Sequence, residues 1–153
     1  MKPVLQALVL AEKIYEAKGS GQKIIAGTFN ALEFSRTSPI QEMTDDEGNT
    51  RRSIRGGTHG GSPSAYISLT DVCNNTELQL QFVSLTRNKT IFSTKLVINS
   101  QNRLQTVELV IPLPVLFVPE PGVYAFEVVC EGEVIGSHRI TAREIQPTEE
   151  TED

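Results

Sequence analysis

The sequence predicts a single all-β domain, an antiparallel β-sandwich of seven to nine strands. Two observations predict it. From residue 65 onward apolar and polar residues alternate, and turn residues separate runs of roughly 6–10 residues. Alternation sends successive side chains to opposite faces of a strand, so one face of each strand is buried. With 153 residues, 39% of them hydrophobic, the chain suffices for one core but not for two full domains.

The first segment, residues 4–15, fits either a strand or a helix. Ala7, Ala11 and Ile14 have helical spacing, and the composition suits a helix. We nevertheless predict a strand, because a glycine-flanked turn at 18–21 and a β-branched run follow it. The second strand of this hairpin is expected over 23–34, where Gly27 predicts a bulge or a close backbone approach.

The later strands follow from the alternation itself. Expected inward residues are Ile67 and Leu69; Leu78, Leu80 and Phe82; Phe92, Leu96 and Ile98; Val107, Leu109, Ile111 and Leu113; and Tyr124, Phe126, Val128 and Cys130. Turns are expected at 86–89 and 131–133. Four prolines between 112 and 121 exclude a central strand there, since proline lacks the backbone donor.

Residues 35–64 break the pattern, and we predict a long irregular loop within a domain of residues 1–145. Arg51, Arg52, Arg55 and His59 lie there beside four glycines. Guanidinium groups and free backbone donors suit a phosphate or a carboxylate, so these four residues are the candidate partner-binding site. The alternative is a flexible surface loop that its charges keep in solvent. Residues 146–153 are predicted to be a disordered acidic tail.

Charge and targeting features limit the partners. Among residues 1–143 the 14 acidic side chains balance all 14 Lys and Arg, so the net charge of −5 belongs to the C-terminal end. A neutral body carries no field that attracts nucleic acid or an anionic membrane, so neither is expected as a partner. The apolar run at 7–11 is short for an export signal, so we expect a cytoplasmic protein.

The candidate chemical groups favour structural roles. Cys73 and Cys130 both follow inward registers, and in a reducing compartment they predict two small buried thiols; a disulfide between facing strands is the alternative. His138 is expected to be half-buried and hydrogen-bonded, and neither histidine has a further ligand at zinc spacing. The chain lacks Gly-x-Ser-x-Gly. We therefore expect no cofactor, no metal and no enzymatic activity.

Two stretches resemble known families. Residues 7–30 resemble the opening of a family of small bacterial β-domains with no assigned function, in which an apolar strand and a turn precede a Gly-Lys-x-x-x-x-Gly-x-Phe-like strand; here Gln22 separates the glycine from Lys23. Residues 121–136 resemble the closing hairpin of immunoglobulin-like sandwiches. The resemblance implies that the Tyr124 hydroxyl bonds to upstream backbone, although Phe126 stands where those domains carry a cysteine.

These features lead to three candidate functions. The first is a non-catalytic module for protein binding or assembly, whose protein partner meets the 35–64 loop or an exposed strand edge, with a homo-oligomer as one possibility. The second is a domain that handles a small molecule or a carbohydrate, either by binding it or as an enzyme. The third is a structural subunit of a larger assembly. A polar concave pocket would favour the second, and an uncovered strand the others.

Overall fold

The computed structural model describes residues 2–34, 41–44, 50–53 and 63–144, with the backbone alone at 41–44 and 50–53. The described strands are β1 (Val4–Glu16), β2 (Lys23–Thr28), β3 (Ala31–Phe34), β4 (Gln41–Thr44), β5 (Thr50–Ser53), β6 (Ser64–Thr70), β7 (Thr76–Ser84), β8 (Lys89–Ile98), β9 (Val107–Pro112), β10 (Gly122–Cys130) and β11 (Glu133–Glu144). The all-β class is therefore confirmed.

Nine of these strands form two sheets. The four-stranded sheet has the order β2-β1-β6-β9, and the five-stranded sheet has the order β3-β11-β10-β7-β8. All pairs in the two sheets are antiparallel except β11 with β3, which run parallel. The expectation of a purely antiparallel domain was wrong at this pair, because β3 reaches the second sheet by a crossing rather than through a hairpin.

One buried cluster joins the two sheets into a sandwich-like arrangement. The four-stranded sheet contributes Leu10, Ile67 and Leu69, and the five-stranded sheet contributes residues such as Leu80 and Phe126, all with no exposed surface. The residues predicted to point inward are buried in β7 and β10, whereas those of the edge strand β9, such as Leu109, are only half-buried. Burial of these apolar faces supplies the main driving force for folding.

The segment at the N-terminus is a strand, as predicted, and lies between β2 and β6. A register shift between Leu5 and Ala7 interrupts the regular alternation of side chains in this strand. Gly27 has φ of 77°, and a Cβ atom there would lie 2.9 Å from the Glu12 carboxylate. The close contact at this glycine is made by the Glu12 side chain, so the bulge or close backbone approach that we predicted is not confirmed.

Residues 23–34 form two strands in different sheets, so the prediction of one strand there was wrong. After Thr28 the chain leaves β1, and β3 then pairs with β11. The His138 side chain of β11 lies beside Leu10 of β1, just beyond the last residue pair of β1 and β2. Its Nδ1 accepts a bond from the Leu10 amide at 3.5 Å, and its Nε2 lies 2.8 Å from the Phe29 carbonyl oxygen. The His138 side chain thus replaces backbone hydrogen bonds that β1 loses where β2 ends and the chain crosses to the other sheet.

The long loop predicted over 35–64 also needs correction. It contains a two-stranded antiparallel sheet, β4 with β5, and its last residue begins β6. Four-residue strands are too short to show a period in sequence. The predicted tail at 146–153 lies outside the described residues.

Candidate functional site

The predicted partner-binding residues fall on the two-stranded sheet or outside the described residues. Arg51 and Arg52 belong to β5, where they pair with Met43 and Glu42 of β4. This is a strand and not the irregular loop that we expected. Arg55 and His59 lie outside the described residues. An anionic partner for this region therefore stays a prediction.

A cleft of about 580 Å³ opens at one end of the molecule, and we call it the end cleft. Its lining comes from residues 73–77, Gln79 of β7, Lys95 of β8, and residues 129–132 at the turn between β10 and β11. The positions are set by two turns that lie at the same end of the sheets. Clefts of about 300–1,000 Å³ are typical of small-ligand sites, although most of those are more apolar.

The turn at the base of the end cleft is held by its own hydrogen bonds. The Thr76 hydroxyl donates to the Cys73 carbonyl at 2.6 Å, and the Asn75 amide donates to Asn99 Oδ1 at 3.2 Å. Asn75 has φ of 57°, in the left-handed region that Asn tolerates better than most residues. Sequence reasoning missed this site. The one available signal was the Asn74-Asn75 pair, whose residue types favour such turns.

The two cysteines lie on the lining of this cleft in different environments. Cys130 is buried as predicted, but Cys73 is exposed, so its predicted burial was wrong. Both thiols are free, so the disulfide alternative was wrong as well. Burial raises the pKa of the Cys130 thiol, and the neighbouring Glu131 charge adds to this effect. Cys130 therefore stays protonated and unreactive in neutral solution.

The charged groups of the end cleft are partly paired. Lys95 Nζ lies 3.6 Å from Glu77 Oε1, on adjacent strands. Within the described residues the Glu131 carboxylate makes no ion pair of its own; nearby Lys2 bonds to Glu133. Gln79 donates to Gln81 Oε1 at 3.3 Å, which leaves its own carbonyl oxygen available.

The buried polar side chains of the core are engaged with backbone. Tyr124 has no exposed surface, and its hydroxyl donates to the Glu120 carbonyl at 2.7 Å. The upstream bond expected for Tyr124 is therefore confirmed. His138 is half-buried and hydrogen-bonded, as expected. Because Nδ1 accepts the Leu10 bond, Nε2 carries the hydrogen that is donated to Phe29.

A second candidate site is the edge of the five-stranded sheet. β8 has ten residues, pairs with β7 on one side, and is last in the strand order. A register shift opposite Phe82 and Val83 ends its regular pairing near Ile91, so residues 92–98 form the regular part of the edge. Strand edges carry unpaired backbone donors and acceptors that can bind another strand.

Comparison of the chain with models of protein families and with curated proteins gave no match. Among the described residues there is no helix long and apolar enough to cross a membrane. The same residues contain no group of three or more His, Cys, Asp or Glu side chains arranged to hold a metal ion.

Proposed function

We propose that the chain is a non-catalytic assembly module that pairs with a second copy of itself along the free edge of β8. The observation that carries this proposal is the edge itself: ten residues without proline, at the side of the larger sheet. The side chains with acid–base capability in the core, His138 and Tyr124, are bonded to backbone, which fits a structural role better than catalysis.

An immunoglobulin-like arrangement is the second part of the proposal. The order β7-β10-β11 corresponds to the C, F and G strands of such domains, and the pair β6-β9 corresponds to B and E. The bond from Tyr124 to Glu120 supports the same assignment. β1 lies directly beside β6, as the first strand of such domains lies beside strand B, and the arrangement departs from that fold at β2, an additional strand on the outer side of β1.

The residues of β8 suggest one register for the pairing. With a two-fold axis at Thr94, Thr94 faces its own copy, and Phe92 faces Leu96 of the second copy. Phe92 and Leu96 point toward the core side yet remain only half-buried at the edge. A second copy would cover both, and cross-strand pairs of this kind stabilise sheets. This register also places Lys95 opposite Ser93 instead of opposite another lysine.

Sedimentation equilibrium tests the assembly. A single strand pair buries little surface, so we expect a weak dimer with a dissociation constant between about 10 and 1,000 µM. Thr94→Lys places two ammonium groups opposite each other and should leave a monomer. Val110→Lys adds the same charge at an exposed position on the edge strand β9 and should leave the dimer intact. Wild-type protein that stays monomeric at about 1 mM would refute the proposal.

The end cleft favours a second candidate function, the binding of a small polar molecule. A concave site with amide, carboxylate and ammonium groups suits such a ligand better than a protein surface. Ligand-observed NMR against a set of small polar metabolites tests it, with Asn74→Leu as the comparison variant. A ligand whose binding is lost in that variant supports this function, and a screen without any such ligand opposes it. The cytoplasmic location stays a prediction.

A further inference from the structure

We propose that the end cleft selects a guanidinium or ammonium group carried on an aliphatic stem, as in an arginine side chain. This inference rests on the second function above, ligand binding in the end cleft, and does not depend on pairing at β8. It follows from three properties of the lining: its charge, its hydrogen-bonding groups and its apolar wall.

The charge of the lining favours a cation. Its charged side chains are Glu77, Glu131 and Lys95. Lys95 lies 3.6 Å from Glu77, so these two compensate each other and one carboxylate, Glu131, remains. Lys2 is close enough to interact electrostatically with Glu131, but its ammonium group forms an ion pair with Glu133. This carboxylate would repel an anionic ligand, and the one lysine of the lining is already paired with Glu77.

The remaining polar groups include acceptors that a cation can use. The Gln79 carbonyl oxygen is available because its NH₂ group donates to Gln81. Asn74 and Asn75 add two side-chain amides to the lining, each with a carbonyl oxygen that can accept a hydrogen bond. A guanidinium group presents five N–H donors and has no acceptor, so it complements a carboxylate surrounded by amide oxygens.

The apolar part of the lining suits an aliphatic stem. Val129 and the thiols of Cys73 and Cys130 supply it, and none of the lining residues is aromatic. A nucleobase or a sugar ring would therefore find no ring to stack on, whereas methylene groups can pack against Val129 and sulfur. The volume of about 580 Å³ accommodates a whole amino acid or a side chain presented by a peptide.

The test is an NMR titration of ¹⁵N-labelled protein with L-arginine amide up to about 50 mM. We expect saturable shifts of the Asn74 and Asn75 side-chain amides and of the Gly132 amide, with a dissociation constant in the millimolar range. Citrulline amide, which has nearly the same shape and the same α-amino group but a neutral ureido group in place of the guanidinium, should bind at least about threefold more weakly. The blocked peptide Gly-Arg-Gly separates the sources: binding equal to that of arginine amide indicates a peptide side chain, and weaker binding indicates a free small molecule.

Two variants test whether the Glu131 carboxylate is responsible for the binding of arginine amide. Glu131→Gln should weaken arginine amide binding by about three- to tenfold, because it removes the unpaired charge and keeps the backbone geometry. Glu133→Gln, two residues away and outside the lining, should leave binding unchanged. Equal binding of arginine and citrulline amides would overturn the inference while leaving ligand binding in the end cleft standing. Absence of any shift, or equal affinities of wild type and Glu131→Gln, would also overturn it.

Discussion

Each sheet has two edge strands, and β8 and β9 are edge strands of different sheets that differ in length and composition. β9 has six residues and ends at Pro112, whose missing amide hydrogen limits further pairing. It is also tied to its neighbour through side chains, because the Tyr66 hydroxyl donates to the Glu108 carboxylate. β8 has ten residues and no proline, and its Lys95 pairs back onto β7 instead of projecting beyond the edge.

This difference shows that being last in a sheet does not by itself make a strand available. A short edge that ends in proline resists pairing, whereas a long regular edge with half-buried apolar residues leaves surface that a second strand can cover. We therefore assign assembly to β8, whereas β9 is closed to further pairing. Four measurements test the roles of these strands and of the crossing at β2; the three that concern stability come first, from the largest expected effect to the smallest.

The largest effect on stability belongs to the strand behind the β8 edge. Leu80 of β7 has no exposed surface, so Leu80→Ala removes buried methyl groups and leaves a cavity. We expect a loss of about 3–4 kcal/mol in the free energy of unfolding. Leu109→Ala, on the half-buried edge strand β9, should cost about 1–2 kcal/mol. Urea denaturation gives both values, and equal losses would mean that β9 is packed as tightly as a central strand.

A smaller effect is expected where β2 leaves the four-stranded sheet. His138→Ala removes the bonds to Leu10 and Phe29, together with the edge-to-face contact between the His138 and Phe29 rings at 6.5 Å. We expect a loss of about 2 kcal/mol, because two backbone groups lose their partners. Ser137→Ala, at the exposed neighbouring position, should change stability by less than about 0.5 kcal/mol. Equal midpoints of thermal unfolding for the two variants would show that His138 does not replace backbone hydrogen bonds of the sheet.

The smallest effect concerns the hydrogen bond that ties β9 to β6. The bond to Glu108 raises the pKa of the Tyr66 hydroxyl above its ordinary value of 10.0, with a further contribution from burial. A raised pKa means that the folded state favours the neutral hydroxyl. Its stabilisation is therefore present below about pH 10 and is lost as the pH rises through the folded-state pKa.

At this solvent-accessible site the loss should stay below about 1 kcal/mol. Comparing urea unfolding of wild type and Tyr66→Phe between pH 8 and 11 separates the contribution of the Tyr66 hydroxyl from that of other titrating groups. The difference in stability between the two proteins should shrink above pH 10. A constant difference across the range would contradict the role given to this bond.

The sequence predicted those parts of the fold in which local pattern and burial coincide. Leu78, Leu80 and Phe82 alternate with two glutamines, and a strand with one buried face is the arrangement that separates them. The Tyr124 bond was implied by the resemblance to immunoglobulin-like hairpins, and its acceptor, the Glu120 carbonyl, lies only four residues upstream. Such features depend on neighbours in the chain, and a single sequence contains them.

The errors arose where distant residues decide the structure. The crossing after Thr28 is supported by His138, 109 residues after Phe29, and no local pattern marks it. Cys73 was placed inward by extending the alternation of β6, but Asp71 has φ of 57° and ends that register. The end cleft depends on two turns that meet only in the folded chain.

The most direct test of the central claim combines two charge variants of Thr94. Thr94→Lys and Thr94→Glu should each be monomeric, because the two-fold register brings like charges together. Mixed in equal amounts, they should form a heterodimer, since lysine then faces glutamate. Sedimentation velocity of each variant and of the mixture, at about 500 µM, distinguishes the outcomes. A mixture that stays monomeric beside a dimeric wild type would contradict pairing at Thr94, and a wild type that stays monomeric would contradict assembly through β8.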